Sequence, residues 1–405
     1  MSEQVLYRKH RPKAFDEVVG QEHVVGAIQN ALATNRLAHA YLFSGPRGIG
    51  KTTTARLIAK ALNCANFSKI SEENFAEKLP ARRNFNEGGS IPPKLKSEGG
   101  ISIPCNECGF CNNFNEGKSL DLIEIDAASN RGIDDVRELR DSVRFVPSQG
   151  KYKCYIIDEV HQLSKDAFAA LLKTLEEPPS HAVFILATTE LEKVPATIVS
   201  RTQHFDFRRP RVKQISERLQ TVAKKEGVKL DPDAAHLIAL AAEGALRDAE
   251  SILGQVMTVE DGHITRKEVE KILGIPRREA SKKMFELVAK KDIPQALALV
   301  QEIADQGHDL AHFSKILLQY FRNALFLKTD LALKRFIEDD MLPDEFEIIE
   351  AHLSAFAAAD LSRGITTIVD NIQLFKRTPI PQLPLELTVV ELANRTIKAD
   401  QSLVV

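Results

Sequence analysis

The stretch that decides the fold of this chain reads Gly45-Pro46-Arg47-Gly48-Ile49-Gly50-Lys51-Thr52. It fits the phosphate-binding pattern G-x-x-x-x-G-K-S/T, and it lies between a predicted strand and a predicted helix, as that pattern requires. The glycines allow backbone amides to face phosphate oxygens, and the N-terminus of the following helix adds partial positive charge. Lys51 would reach the β- and γ-phosphates, and the Thr52 hydroxyl would bind magnesium. Together with Thr53, the stretch predicts a nucleoside triphosphate site.

The segments around this stretch alternate between helical and strand patterns. Apolar runs predict strands at Ala40–Ser44, Leu122–Ile125, Tyr155–Ile157 and Val183–Ala187. Helical spacing of apolar residues predicts helices at Val24–Leu32, Ile133–Val143 and Ala167–Leu175. Because helices alternate with strands, we expect a parallel α/β sheet that extends to about Phe207.

Beyond this sheet the apolar residues recur at helical spacing, and we find no convincing strand. Asp309 is predicted to cap one long helix. The apolar face of that helix consists of Leu310, Phe313, Leu317, Phe321 and Ala324. Gly274 and Pro276 indicate a boundary between two helical parts. We expect three domains, an α/β domain over 1–207, a small helical domain over 208–272 and an all-helical domain over 273–398.

A carboxylate pair follows the apolar run at 154–157, where the chain continues with Asp158 and Glu159. Such a run places the pair at the end of a strand. Asp158 would hold magnesium, and Glu159 would orient the attacking water. Phosphoryl transfer depends on positioning and charge neutralisation more than on covalent chemistry, so these roles suffice for hydrolysis.

The cysteines predict a metal site. Cys105, Cys108 and Cys111 lie within seven residues, and Cys64 ends the helix that follows the phosphate loop. Four thiolates suit tetrahedral zinc, and four sulfur ligands leave no coordination position open for chemistry. We therefore expect a structural zinc module over 62–118, which includes a polar insert over 66–104 that is rich in Asn, Glu, Ser, Gly and Pro.

Composition excludes other classes of protein. The 405 residues include no apolar run long enough to span a bilayer, and no apolar signal region follows Met1. Five cysteines without an export signal argue against a disulfide framework. The 54 basic and 56 acidic residues nearly cancel, so any DNA contact must come from a local surface. We expect a cytoplasmic protein.

Several motifs together resemble the tau/gamma family of bacterial DNA polymerase III subunits, which are clamp-loader ATPases of the AAA+ class. Besides the phosphate loop, they are Val5–Pro12, Val18–Gln21, Asp121–Ser129, Asp158–His161, Leu171–Pro179 and Ser200–Thr202. The resemblance covers nearly the whole chain. It implies that the α/β domain is an AAA+ domain of RecA-like type, that residues 208–272 form a helical lid, and that residues 273–398 form a collar for oligomerisation.

The resemblance also implies roles for single residues. Thr189 matches a polar sensor of the γ-phosphate, and Arg247 matches a second sensor on the lid. Pro12 and Val19 match positions that contact adenine. Arg201 matches an arginine finger that points into the neighbouring subunit's ATP site, where it would be worth about 10³ to 10⁵ in rate. Thr202 stands where the family has cysteine, and the arginine itself still carries the charge.

The loop between Cys64 and Cys105 is longer than its counterpart in the family. Two doublings of loop length cost only about 1.2 kcal/mol of closure free energy. In small zinc-binding peptides, zinc binding contributes an apparent free energy of about 10 to 16 kcal/mol. We therefore expect the zinc site to be retained.

As partners the resemblance implies the delta and delta-prime subunits, further tau/gamma copies, the beta sliding clamp and primer-template DNA, all within the DNA polymerase III holoenzyme (EC 2.7.7.7). Arg137 and Lys173 match basic positions that contact DNA phosphates. Arg131 would substitute for basic residues that relatives often carry where this chain has Asn130 and Gly132. Because the chain stops at Val405, it is expected to be the short, gamma-like form.

Three other interpretations remain open at this point. A delta-prime subunit can share the cysteines, although its phosphate loop is typically degraded. A hexameric branch-migration helicase shares the ATPase motifs but lacks the cysteine module. A zinc scaffold without enzymatic activity would not turn over ATP when primed DNA is added.

Overall fold

A computed structural model describes residues 5–67, 103–130, 132–259, 262–273, 278–337 and 343–393. Most of the predicted polar insert over 66–104, the predicted boundary at Gly274 and Pro276, and Arg131 lie outside these residues. The chain forms two compact units, Met1–Val222 with Ala241–Gly254, and Ala223–Leu240 with Gln255–Val405. The three predicted domain boundaries stay predictions.

A five-stranded parallel sheet forms the centre of the first unit. Its strands are β1 (Ala40–Ser44), β2 (Leu122–Asp126), β3 (Lys153–Asp158), β4 (Ala182–Thr188) and β5 (Gln203–Asp206). They lie in the order β2-β3-β4-β1-β5. Leu42 pairs with Leu186, and Ile125 pairs with Ile157. In this register the carboxyl ends of β1 and β3, which precede the phosphate loop and the acidic pair, lie on the same edge of the sheet.

Side chains alternate between two apolar layers, one on each face of the sheet. Tyr41, Phe43 and Ile156 belong to one cluster, and Leu42 and Tyr155 belong to the other. Strands buried on both faces read as continuous apolar runs, which is why these strands were visible in the sequence. Cys154 is fully buried in β3, where burial raises the pKa of its thiol.

Among the described residues, seven helices before residue 200 accompany the sheet in the first unit. They are α1 (Leu6–Lys9), α2 (Glu22–Ala33), α3 (Lys51–Leu62), α4 (Gly109–Asn115), α5 (Ile133–Val143), α6 (Lys165–Glu176) and α7 (Ala196–Val199). One-turn 3-10 helices occur at Phe15–Glu17, Val160–Gln162 and Leu191–Lys193. Helix α3 begins at the lysine of the phosphate loop and ends two residues before Cys64, so it connects the two predicted sites.

The rest of the described chain is helical apart from one pair of short strands. Its helices are α8 (Val212–Lys225), α9 (Pro232–Ala241), α10 (Leu246–Val259), α11 (Arg266–Leu273), α12 (Arg278–Lys290), α13 (Ile293–Asp305), α14 (Leu310–Thr329), α15 (Pro343–His352), α16 (Ala358–Leu374) and α17 (Leu383–Ala393), with 3-10 turns at Leu331–Phe336 and Leu353–Ala355. No described helix is both long and apolar enough to cross a membrane.

The predicted cap and apolar face of α14 are confirmed. The Asp309 carboxylate accepts a hydrogen bond from the backbone of His312, and Phe313, Leu317 and Phe321 are fully buried. The prediction that no strand follows the main sheet was wrong. Two parallel strands, β6 (Lys229–Leu230) and β7 (His263–Ile264), pair over only two positions. Such short segments are too brief to show an alternating pattern.

Candidate nucleotide and metal sites

A cavity of about 520 Å³ opens at the carboxyl ends of β1 and β3. Seven of its lining residues come from the phosphate loop and the start of α3. They are Arg47, Gly48, Ile49, Gly50, Lys51, Thr52 and Thr53. The predicted catalytic carboxylates Asp158 and Glu159 and the predicted adenine contacts Pro12 and Val19 also line it. Residues widely separated in sequence therefore converge on one site, and the volume suits a nucleotide.

Two glycines of the phosphate loop are required by close approaches. Gly45 and Gly48 have positive φ angles of 133° and 77°. A Cβ at Gly45 would collide with the backbone oxygen of Phe207, and one at Gly48 would lie 3.0 Å from the Cβ of Ala245. Only glycine combines this backbone conformation with this lack of space.

Lys51 is folded back over its own loop. Its side chain is buried, and Nζ donates to the backbone oxygens of Gly45 at 2.6 Å and Pro46 at 2.7 Å. Burial lowers the pKa of Lys51, while the carboxylates of Glu159 and Asp158 act in the opposite direction. Gly45 and Pro46 are not among the residues that line the cavity, and they contact the site through this lysine.

Thr52 and Asp158 form a pair of hard oxygen ligands. The Thr52 hydroxyl donates to Asp158 Oδ2 at 2.7 Å, and Asp158 Oδ1 accepts the backbone N–H of Glu159 at 3.0 Å. Hydroxyl and carboxylate oxygens at such a distance suit Mg²⁺, which commonly takes one or two protein ligands and further oxygens from phosphates and water. The donor set therefore fits the predicted magnesium site.

Thr189 contacts Glu159 and is not among the residues that line the cavity. Its backbone N–H and its hydroxyl donate to Glu159 Oε2 at 3.2 and 2.9 Å. Glu159 itself has a left-handed backbone with a φ of 48°, which is unusual for a residue that is not glycine. In this structure Thr189 acts on the site by holding the carboxylate of Glu159.

Arg247 reaches the cavity together with Tyr7, for which the sequence predicted no role. Its guanidinium lies 4.5 Å from the ring centroid of Tyr7 and donates to the Tyr7 hydroxyl at 3.2 Å. The hydrogen bond from Arg247 lowers the pKa of the Tyr7 phenol. The predicted second sensor thus has an aromatic neighbour in the N-terminal segment.

Other lining residues were also missed. Arg218 donates to the Glu250 carboxylate at 2.9 Å, and both side chains are nearly buried. Burial raises the pKa of Glu250, and Arg218 opposes that shift. Arg11 and Asp126 also line the cavity. These residues come from four separate segments. The available signal was that Tyr7 and Arg11 lie in the motif Val5–Pro12 and that Asp126 lies in the motif Asp121–Ser129.

Arg201 lies outside this cavity. Its guanidinium contacts Glu176 Oε1 at 2.7 Å and the backbone oxygen of Thr197 at 3.0 Å, and 36% of its side chain is exposed. The structure therefore does not bring Arg201 together with Lys51 and Asp158 in the same chain.

The four predicted zinc ligands come together in the first unit. The sulfur atoms of Cys64, Cys105, Cys108 and Cys111 lie within 4.8 Å of one another. Two of them, in Cys105 and Cys111, are 3.9 Å apart. Zinc–sulfur bonds of about 2.3 Å in a tetrahedron place sulfur atoms about 3.8 Å apart, so the cluster fits zinc.

Hydrogen bonds within the cluster favour a shared negative charge. The bond from Cys111 lowers the pKa of Cys64 to about 5, and the same contact raises the pKa of Cys111. The backbone N–H groups of Cys108 and Cys111 donate to the sulfurs of Cys105 and Cys108 at 3.3 and 3.4 Å. Thiolate is the form of cysteine that binds metal, and these donors stabilise it.

Lys60 attaches the cysteine segment to helix α3. Only 1% of Lys60 is exposed, and Nζ donates to the side-chain oxygens of Asn106 and Asn115, the latter at 2.6 Å. It also contacts the backbone oxygen of Lys13 at 3.3 Å. The helix that starts at the phosphate loop is therefore tied to both the metal-binding segment and the N-terminal segment.

The two described DNA candidates lie on neighbouring helices. Arg137 is on α5, with 54% of its side chain exposed and an ion pair to Asp134 at 3.0 Å. Lys173 is an exposed residue of α6. Arg131 lies outside the described residues. Both described side chains are accessible to a partner.

The parallel sheet, the phosphate loop after β1 and the acidic pair after β3 define a P-loop ATPase fold of the AAA+ class. Three family profiles match the chain. They are described as "DNA polymerase III, delta subunit" at 20–79 and 94–211, "DNA polymerase III clamp loader subunit, ATPase lid domain" at 214–262, and "DNA polymerase III subunits gamma and tau domain III" at 264–403. The chain belongs to the tau/gamma family of DNA polymerase III clamp-loader subunits.

Curated relatives support this assignment. DNA polymerase III subunit tau of Bacillus subtilis is 38% identical over 97% of this chain and 64% of the relative. The tau subunit of Escherichia coli is 42% identical over 76% of this chain and 43% of the relative. DNA polymerase III subunit gamma of Buchnera aphidicola is 36% identical over 81% of this chain and 82% of the relative. The chain thus spans about two fifths to two thirds of these tau relatives and most of the gamma relative.

Solved structures are more distant. The RuvB Holliday junction branch migration motor of Thermotoga maritima is 21% identical, with a TM-score of 0.45 over 69% of this chain and 78% of that chain. The clamp loader delta protein of Bacillus subtilis is 13% identical, with a TM-score of 0.38 over 91% of this chain and 98% of that chain. The family assignment rests on the sequence relatives, whose names are tau and gamma.

Proposed function

We propose that this chain is the ATP-hydrolysing motor subunit of a bacterial sliding-clamp loader. ATP would bind in the cavity with its phosphates against the loop at 45–52, Lys51 would turn from its loop carbonyls to the phosphates, and Glu159 would orient water. Magnesium held by Thr52 and Asp158 would neutralise phosphate charge. Pro12 and Val19 would contact adenine, and Arg247 would reach the nucleotide from the lid.

One observation carries this proposal. Within a single chain, the residues that would bind ATP line one cavity, and Arg201 lies outside that cavity. A guanidinium is needed against the charge that develops during phosphoryl transfer, so a neighbouring subunit would supply it. Hydrolysis would then depend on assembly with delta, delta-prime and further tau/gamma copies. ATP binding would open the beta clamp, and hydrolysis on primer-template DNA would release it. Arg137, Lys173 and Arg131 would contact DNA phosphates without sequence preference.

The same proposal assigns the remaining parts. Residues 1–207 would form the AAA+ domain with its structural zinc module, 208–272 the lid and 273–398 the collar. The protein would act in the cytoplasm.

The test measures ATP turnover and clamp loading by the chain alone and in a reconstituted clamp loader, with and without primed DNA. We expect little turnover by the chain alone and strong stimulation by assembly with primed DNA. Lys51→Ala should lose ATP binding and clamp loading, whereas Arg36→Ala, at an exposed position after α2, should keep both. A Lys51→Ala assembly that still loads clamps would contradict the motor function, and absence of turnover in every wild-type sample would favour a scaffold without enzymatic activity.

A further inference from the structure

His161 lies between two carboxylates and links Glu159 to Glu190. It belongs to the 3-10 turn Val160–Gln162, which directly follows Glu159. Its Nδ1 lies 3.5 Å from Glu159 Oε2, and its Nε2 lies 3.1 Å from Glu190 Oε1. Only 3% of the side chain is exposed. The imidazole is therefore held in one place, with its two nitrogens facing carboxylates on opposite sides.

A third contact attaches this ring to the sheet. Nδ1 lies 3.0 Å from the hydroxyl of Thr188, the last residue of β4, which is fully buried. The same hydroxyl accepts the backbone N–H of Glu190 at 3.0 Å. A buried polar ring is stable only when its nitrogens have partners. Thr188 faces Nδ1, and Nε2 lies 2.9 Å from the side-chain nitrogen of Gln162 as well as 3.1 Å from Glu190 Oε1. The additional approach to Glu159 is therefore not needed to satisfy the ring.

The contacts to Glu159 converge on one of its two carboxylate oxygens. Thr189 and His161 both approach Oε2, and neither contact occupies Oε1. A carboxylate held by one oxygen has a fixed orientation, and its other oxygen stays available to accept a hydrogen bond from water. Fixed orientation of the group that positions water is a requirement for phosphoryl transfer.

We propose that His161 is a positioning residue for ATP hydrolysis, which fixes the Glu159 carboxylate through a ring that is itself held by Glu190 and Thr188. The inference rests on the proposed function, because Glu159 orients water only if the chain hydrolyses ATP. His161 is not among the residues that line the cavity, so it acts through Glu159. Its loss should lower kcat and leave ATP affinity unchanged.

The test compares His161→Leu, His161→Asn, Glu190→Gln and the double variant His161→Leu/Glu190→Gln in the reconstituted clamp loader. Leucine fills the space without polar contacts, and asparagine restores an amide near the position of Nδ1. We expect kcat to fall about 10-fold for leucine, with partial rescue by asparagine. Glu190→Gln should cost about 3-fold, and the double variant should cost no more than leucine alone, because the two residues act as one unit. The Kd for ATP should stay within about 2-fold throughout.

Arg36→Ala, at an exposed position after α2, is the control and should match the wild type. Unchanged turnover of His161→Leu in an active assembly would overturn this inference alone, as would a loss of ATP affinity equal to the loss of kcat. An inactive wild-type assembly would instead contradict the proposed function. If His161→Leu does not fold, the test rests on Glu190→Gln, because Glu190 is 37% exposed and its replacement is isosteric. An unchanged kcat in that variant would overturn the proposal that Glu190 holds His161 against Glu159.

Discussion

The two ends of helix α3 carry sites of opposite design. At its N-terminus, Lys51 and Thr52 contact a backbone carbonyl and a carboxylate, groups that a bound nucleotide and its metal would take over. Beyond its C-terminus, Cys64 belongs to four sulfurs within 4.8 Å that face one another. The first set suits a ligand that exchanges in each cycle, and the second suits a metal that stays. One helix therefore connects a site for an exchanging ligand to a site for a permanent metal.

The largest expected effect tests the permanent end. Cys105→Ser or prolonged chelation should remove the metal and destabilise the segment that holds it, because structural zinc contributes an apparent 10 to 16 kcal/mol, roughly, in isolated zinc-binding peptides. Elemental analysis should find one zinc per wild-type chain and less in the variant, with a lower Tm. Cys154→Ala removes a buried thiol of β3 and should keep the metal. Wild-type protein that is free of metal after purification without chelators would contradict a permanent metal site at these four cysteines.

The next effect tests the exchanging end and its need for a neighbour. Arg201→Ala should lower turnover in the reconstituted assembly by about 10³ to 10⁵, on the order of 4 to 7 kcal/mol, because a guanidinium stabilises the charge of the transition state. The Kd for ATP of the chain alone should not change, because Arg201 lies outside the cavity of its own chain. Turnover is measured on the assembly, and equilibrium binding is measured on the isolated variant chain. Mixing Arg201→Ala and Lys51→Ala subunits gives a second check, since each site would need an intact loop from one chain and an intact arginine from the next.

A smaller effect is expected at a site where the protein's own backbone already binds an anionic side chain. Asp121 is buried, and its carboxylate accepts the backbone N–H groups of Ser148, Gln149 and Gly150 at 2.6, 2.8 and 2.7 Å. Burial acts to raise the pKa of Asp121, but the backbone donors prevail and the pKa is lowered. Asp121→Asn should cost about 2 kcal/mol at neutral pH, because an amide group cannot accept all three donors.

The pH dependence of that effect has a definite sign. A lowered folded pKa means that the ionised carboxylate stabilises the folded state above its unfolded pKa of about 4, and that this contribution is lost as pH falls through the lower folded value. The difference in Tm between wild type and Asp121→Asn should therefore shrink as pH falls from about 5 towards 2. Asp141→Asn, on an exposed carboxylate, is the matched control. A difference that grows on acidification would contradict this account.

Sequence patterns predicted the parts of each site that are local in the chain. The phosphate loop, the acidic pair and the triplet of cysteines each lie within a few residues, and the buried strands around them read as apolar runs. Tyr7, Arg218 and Glu250 were missed because each comes from a different segment and becomes part of the cavity only through folding. The strands β6 and β7 were missed because two residues carry no periodicity. Residues that meet only through folding were therefore harder to predict from the sequence than the type of each helix or strand.

Thr189 was predicted as a site residue, but its contact with Glu159 was not predicted. The family resemblance implied a sensor of the γ-phosphate at this residue, whereas the structure places its hydroxyl 2.9 Å from Glu159 Oε2. Thr189→Val keeps the shape and the backbone N–H contact but removes the hydroxyl. If the residue acts by holding Glu159, kcat should fall about 5-fold, roughly 1 kcal/mol, with an unchanged Kd for ATP, because one hydrogen bond to the carboxylate is lost while the backbone one remains. If Thr189 turns to the phosphate when ATP binds, affinity should fall with kcat. Comparing Kd for ATP with Kd for ADP in this variant separates the two, because only a direct contact with the γ-phosphate would weaken ATP selectively.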